Sequence, residues 1–288
     1  MKFKKIIIKI LTRIKQFKAH PLTKNSVITA LFRYVLFNTI QTINPKQRKY
    51  KFLNGLHFHA QKGDAGIVAN IYFKLFDYDE SMFVIHHLKE NELFVDVGAN
   101  VGHFTLIAAG ICKAKVIAFE PIPATFSNLN KNVTSNNLGA LVKTFNIGIG
   151  EKKGFLNFST NLDVMNAVAL EHEPNVIRIA VEKLDYVLED NFPVFLKIDV
   201  EGYEMFVLKG ALDVLSNPSL KVIIIELNFS LSKFQHSIQD VINLLTKYDF
   251  IPIEYDVQLR KIRIIEGYSA DRFNTIFMKR NLAILFND

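Results

Sequence analysis

The sequence predicts an α/β fold: a doubly wound, Rossmann-like sheet, mostly parallel with an antiparallel edge, preceded by a basic helical extension. Three observations carry this. Four short, continuous, β-branched runs, Leu93–Val97, Val116–Phe119, Phe195–Ile198 and Val222–Ile225, have the composition of strands buried on both faces. Helix-like segments lie between or after them, at Phe104–Ile111, Ile122–Asn136, Glu204–Leu215 and Ser237–Tyr248, and such alternation indicates a doubly wound sheet. A glycine turn from Gly98 to Gly102 follows the first run directly, at the strand end where open α/β sheets bind ligands.

In chain order, residues 1–50 form the extension and 51–288 the main domain, the polar stretch Asn44–Lys51 marking the boundary. Residues 1–63 hold 14 Lys or Arg and no acid, so the net charge of +7 leaves −7 for the rest. Lys9 and Arg13 interrupt the apolar run that a secretion signal would need, and the run is too short to span a bilayer. On a helix, Phe3, Ile6, Ile7, Ile10, Ile14 and Phe17 fall near one side. Three readings follow: peripheral contact with an anionic membrane through residues 1–18, packing on the chain's own domain, or a homodimer contact. Nucleic acid is not expected, because the arm lacks a binding motif and the remainder is acidic. The single cysteine, Cys112, excludes an intrachain disulfide and a cysteine-based zinc cluster, so a cytoplasmic site is expected, at most peripheral at the inner membrane surface.

The first strand and its turn read Leu93-Phe-Val-Asp-Val-Gly-Ala-Asn-Val-Gly-His-Phe-Thr105. Glycine allows a tight turn and close approach of backbone to a ligand. Dinucleotide sites carry G-x-G-x-x-G. Here Asp96 leads the turn and the third glycine is absent, which disfavours a pyrophosphate and suits a cation such as the ammonium of S-adenosylmethionine. Gly98, Asn100, Gly102 and His103 complete the expected cradle. Glu120, 24 residues after Asp96, is placed to accept the hydroxyls of a ribose; alternatively it complements a helix N-terminus beside Pro121. A third strand ending near Phe145–Gly148 puts Asn146 beside the adenine, or in a plain turn.

Further along, Gly154–Val181 reads as a β-rich insertion with a polar loop. Pro252–Asp256 and Asn274–Met278 would form the antiparallel edge, joined by the charged connection Gln258–Arg272. Lys197-Ile-Asp-Val-Glu-Gly-Tyr-Glu204 follows its strand with Asp199 and Glu201 two apart, on one side if the strand continues. Asp96, Asp199 and Glu226 would then collect at the carboxyl edge.

FVDVGANVGHFTL (94–106), FEP with its helix to NKNV (119–133), VEKLDYVLED (181–190) and FLKIDVEGYEMFVLKGA (195–211) together resemble the FkbM-type methyltransferases, a class I S-adenosylmethionine-dependent family. The likeness covers roughly residues 75–280 and leaves the arm outside it. It implies O-methylation of a hydroxyl on a sugar, glycan or related metabolite, with S-adenosyl-L-methionine as cofactor. Asp199 is the first choice for the base that removes the hydroxyl proton, with Glu201 orienting the acceptor or serving instead. Lys197 would neutralise Asp199, and Glu201 alternatively caps the next helix. Clustered carboxylates can hold Mg²⁺, but the resemblance does not demand it and no metal is expected. His57, His59, His86 and His87 read as ordinary polar residues, and Tyr78, Asp79 and Glu80 match loosely a family aromatic–acid pair that lines the pocket. The competing classes are an NAD-dependent oxidoreductase, disfavoured by the missing glycine, and a silent binding module, disfavoured by the intact acids.

Overall fold

The structure is a computed structural model that describes residues 2–64, 66–159, 168, 176–270 and 272–286, with backbone alone for residues 2–7. Two helices, α1 (Lys2–Ala19) and α2 (Val27–Ile43), precede an antiparallel hairpin of β1 (Arg48–Lys51) and β2 (His57–Ala60), then α3 (Ala69–Phe73) and α4 (Tyr78–His87). Phe17 is fully buried, its ring 4.9 Å from Phe73 and 6.1 Å from Tyr72. With Ala30 and Phe37 it joins the apolar cluster that contains Phe94 and Val116 of the main sheet. Ile10 and Ile14 are half-buried, so the described part of the apolar side of α1 turns onto its own domain. Among the described residues no helix is long and apolar enough to cross a membrane.

The central sheet begins with β3 (Leu93–Val97), which passes through α5 (His103–Leu106) and a π turn (Ile107–Ile111) to β4 (Lys115–Phe119), α6 (Pro123–Ser135) and β5 (Val142–Phe145). The chain then leaves it for β6 (Gly148–Ile149), β7 (Gly154–Ser159) and β8 (Val176–Glu182), a separate three-stranded sheet in the order β6-β8-β7. This is the expected insertion, although residues 160–167 and 169–175 of its polar loop lie outside the described residues. After α7 (Leu184–Leu188) come β9 (Phe195–Ile198), α8 (Glu204–Lys209), α9 (Leu212–Ser216), β10 (Val222–Glu226), α10 (Ile238–Lys247), β11 (Phe250–Asp256), β12 (Lys261–Ile264), β13 (Asn274–Lys279) and α11 (Arg280–Phe286).

The eight strands are ordered β12-β11-β13-β10-β9-β3-β4-β5. β10, β9, β3, β4 and β5 run parallel, and β13, β11 and β12 are antiparallel to their neighbours. The α/β, Rossmann-like sheet with an antiparallel edge is therefore present as expected. Three details differ from the sequence reading. The third strand ends at Phe145, as expected, but the insertion opens at Gly148 and not at Gly154. The span Glu204–Leu215 is two helices, because Gly210 sits where a Cβ would come 2.0 Å from the Gly150 carbonyl oxygen and the chain bends past it. The connection Gln258–Arg272 contains β12, an edge strand with Ile262 alone buried.

Candidate active site

The carboxyl ends of β3, β4, β9 and β10 surround a cavity of about 540 Å³. At its floor the β3 turn is set by close backbone packing. Gly98 has φ +82°, and a Cβ there would lie 1.9 Å from the Asp199 carbonyl oxygen, so a residue with a side chain would push β3 and β9 apart. The N–H groups of Gly98 and Ala99 donate to the Phe119 carbonyl at 3.0 and 2.9 Å. Gly102, φ +99°, starts α5 and lies against Leu129.

Asn100 is also left-handed, φ +51°, and its N–H donates to Glu120 Oε2 at 3.0 Å. The other Glu120 oxygen accepts from the Ile122 N–H, 2.9 Å away, at the start of α6. Glu120 thus fastens a helix start to the glycine turn, as the helix reading expects, and it also lines the cavity. Burial pushes its pKa up to about 7 against the pull of those two amides. Asp96 is buried, accepts from Thr105 Oγ1 at 2.6 Å, and is raised by burial to about 6. Two buried acids at such values, facing space, suit a ligand that brings a cation and hydroxyl donors.

Two expected cofactor contacts are corrected. His103 borders the cavity, but Asn70 Nδ2 donates to its Nδ1 at 3.0 Å and its Nε2 meets Ser81 Oγ at 2.9 Å. Ser81 in turn donates to the Phe76 carbonyl, which fixes the tautomer with Nε2 protonated. Burial holds His103 down at about 3, so it is a neutral structural link with no ring nitrogen left for a ligand. Asn146 is exposed and does not line the cavity. Its amide donates to the carbonyls of Glu120 and Pro121 at 2.9 and 2.8 Å, tying down the β4 turn, and Ile147 faces the cavity instead.

At the opposite wall Lys197, 1% exposed, reaches Asp199 Oδ2 at 2.9 Å and Asn274 Oδ1 at 3.0 Å. Burial opposes its charge, but Asp199, Asp77 and Asp96 outweigh that and raise its pKa. Glu201, φ +56°, lines the cavity and is raised to about 7 by burial and by Asp199. The helix-capping alternative for Glu201 falls to Glu204, whose Oε1 accepts from the N–H groups of Val200 and Gly202. Glu226 is raised by burial, Asp199 and Glu201, and its Oε2 is buried without a partner among the described residues. Oxygens of Asp199, Glu201 and Glu226 lie within 4.8 Å of one another, a grouping that could hold a divalent cation.

Sequence reasoning missed Asp77. It lines the cavity with Phe76, is left-handed at φ +45°, and is raised by burial to about 8. The aromatic–acid pair of this region is therefore Phe76-Asp77, not Tyr78 with Asp79 or Glu80; Asp79 instead pairs with Arg272 at 3.1 Å. Asn274, Phe229 and Phe273 were also missed, since nothing local marks them; the last two are exposed aromatics of the cavity wall. The other histidines are held elsewhere: His57 by the Ser135 carbonyl, His59 through its backbone by Asn132, His86 by Tyr255 and His87 by the Phe83 carbonyl.

The family model described as the methyltransferase FkbM domain matches residues 96–252, more than half of the chain. The hexuronic acid methyltransferase AglP of Haloferax volcanii is 30% identical over 155 residues, covering 53% of this chain and 62% of that protein. Methyltransferase sdnD of Sordaria araneosa is 28% identical over 169 residues, 46% of this chain and 65% of that protein. The chain thus spans just under two thirds of the length of these curated relatives. An rRNA methylase from Streptococcus thermophilus aligns over 69% of this chain and 92% of its own, with 14% identity and a TM-score of 0.41.

Proposed function

The chain belongs to the FkbM methyltransferase family, and from that premise we propose that it transfers a methyl group from S-adenosylmethionine to a hydroxyl oxygen of a sugar, glycan or related metabolite. The observation that carries the reading is one cavity with a glycine cradle and two buried acids on one wall and a carboxylate group at the other.

S-adenosylmethionine, when bound, supplies an electrophilic methyl on a sulfonium. Asp96 would meet its ammonium, and Glu120, already oriented by two backbone amides, would accept the ribose hydroxyls. At the far wall Lys197 orients Asp199, which leaves Glu201, poised near 7, to take the acceptor's proton as the oxygen attacks. The proton ends on Glu201, the O–CH₃ bond forms and the S–CH₃ bond breaks. This shifts the base from Asp199, the first choice in the sequence, to its neighbour, with Asp199 positioning the acceptor. Lys197 already places a positive charge beside Asp199, so the reaction is read as metal-independent, and dialysis against EDTA should leave the rate unchanged.

AglP acts, by its name, on a hexuronic acid. Lys233 lines the cavity and gives a carboxylated sugar a cation to meet, which supports an acceptor of that class. Calorimetry with S-adenosylmethionine and with NAD⁺ tests the donor; binding of NAD⁺ alone would overturn the proposal. Labelled cofactor incubated with uronic-acid-containing glycans tests the acceptor: label in a base-stable methyl ether is the expected result, and label in a base-labile methyl ester of the carboxylate would overturn transfer to a hydroxyl.

A further inference from the structure

The outward face of α2 carries no charge. Its exposed residues are Ile28, Thr29, Phe32, Val35, Leu36, Thr39, Thr42 and Ile43, which recur at helical spacing along a single stripe of about 22 Å. Ile28 is 85% exposed, Ile43 79% and Phe32 64%. Water gains nothing from such a surface, and an uncovered apolar stripe of this size marks a contact.

Beside the stripe, and sharing Leu36 with it, runs an apolar groove of about 570 Å³ between α2, β1 and α3. Arg33, Lys51 and Lys74 rim it, and none of the three has an acidic partner among the described residues. The surrounding segment, residues 1–63, holds 14 cations and no acid. That composition selects the occupant. A second copy docked on the same face would bring two all-cationic arms together, whereas an anionic bilayer offers acyl chains to the stripe and phosphates to the rim.

We propose that α2, with the groove rimmed by Arg33, Lys51 and Lys74, is a docking face for an anionic phospholipid bilayer, the stripe seated at the headgroup boundary. In α1, Ile10, Ile14 and Phe17 turn inward and only Ile8 and Leu11 are exposed apolar residues among the described ones, so the longer uncharged stripe of α2 carries the contact. The face neighbours the cavity: Asn70 lines the groove and hydrogen-bonds His103, which borders the cavity. Docking stands on these surface features alone and holds whatever the reaction proves to be.

Flotation of the full chain with vesicles tests it. The protein should float with mixed phosphatidylglycerol–phosphatidylcholine vesicles and, from the loss of electrostatic attraction, about tenfold more weakly with phosphatidylcholine alone. A Phe32→Glu, Leu36→Glu double variant should lose flotation by about tenfold or more, and Lys51→Glu with Lys74→Glu should lose the preference for anionic lipid. These side chains are solvent-exposed and outside the cavity, so far-UV circular dichroism and cofactor calorimetry should match the parent. Absence of flotation with either vesicle overturns the proposal. So does a dimeric parent that the Phe32→Glu, Leu36→Glu variant makes monomeric while lipid binding is nil, which would mean that a second copy covers the face.

Discussion

Glu120 fastens the start of α6 to the glycine turn with one carboxylate and also lines the cavity, and its position was legible because it closes the second strand beside Pro121. Its amide partners, Asn100 and Ile122, come from the two turns it joins. His103 and Asn146 were misread for the opposite reason: Asn70 and Ser81 are distant in sequence, and the carbonyls that hold Asn146 belong to backbone, which carries no signature. With Glu120 raised to about 7 in the free protein, ribose hydroxyls donating to the anion should bind best above that value, because hydrogen bonds to charged acceptors are the stronger ones. Affinity for S-adenosylmethionine should therefore fall as pH drops below 7, by at most about tenfold per pH unit for one linked proton. The Glu120→Gln variant should bind more weakly at pH 8 and lose most of this dependence; identical profiles in calorimetry would remove Glu120 from the site. On the other wall, Glu201→Gln should lower kcat by roughly 10²-fold or more with cofactor Kd nearly unchanged. Asp199→Asn should chiefly raise the acceptor KM, and a reversal of these two effects would return the role of base to Asp199.

Parallel strands are the elements that the sequence shows most clearly, since burial on both faces forces continuous β-branched runs. Leu93–Val97 and Phe195–Ile198 form strands over those very residues. Helix breaks and edge strands are harder to read. The alternation Lys261-Ile-Arg-Ile264 does contain the signal for β12, but its charges made it resemble solvent-exposed loop. The break between α8 and α9 is set by an approach from elsewhere in the chain, the Gly150 carbonyl lying where a Gly210 side chain would project. Replacing Gly210 should therefore cost more than helix propensity suggests: alanine is the better helix former, yet the clash is with backbone, and overpacking of this kind costs typically 1–3 kcal/mol. Gly210→Ala should unfold at a lower urea midpoint with an unchanged slope. A variant as stable as the parent would mean that the insertion sheet shifts freely against α8.

At the scale of the whole molecule, the cavity gathers acids that the fold keeps partly protonated. Of its lining, Asp77 is raised to about 8, Glu120 and Glu201 to about 7 and Glu226 to about 9, and Glu204, outside the lining, to about 7, burial being the largest cause in each. In the unfolded chain these groups titrate near 4, so between pH 7 and 8.5 the folded state holds protons that the unfolded state has lost. Stability must then fall as pH rises through this window. The buried histidines work in the opposite sense, but elsewhere: His103, His20 and His87 have lowered values, and their contribution is lost only as pH falls below about 6.5. Lys197, raised, keeps its full contribution across the window. The melting temperature of the free protein should thus decline from pH 7 to 8.5, and saturating S-adenosylmethionine should flatten the decline, because its ammonium compensates the carboxylates as they ionise. Asp77 gives the sharpest test. Its backbone is left-handed at φ +45°, a conformation that asparagine tolerates well, so Asp77→Asn can remove the proton exchange without straining the turn. The variant should melt at a temperature that varies less with pH over this range than the parent; an unaltered slope would show that Asp77 reaches water in solution and does not share in the electrostatic load of the cavity.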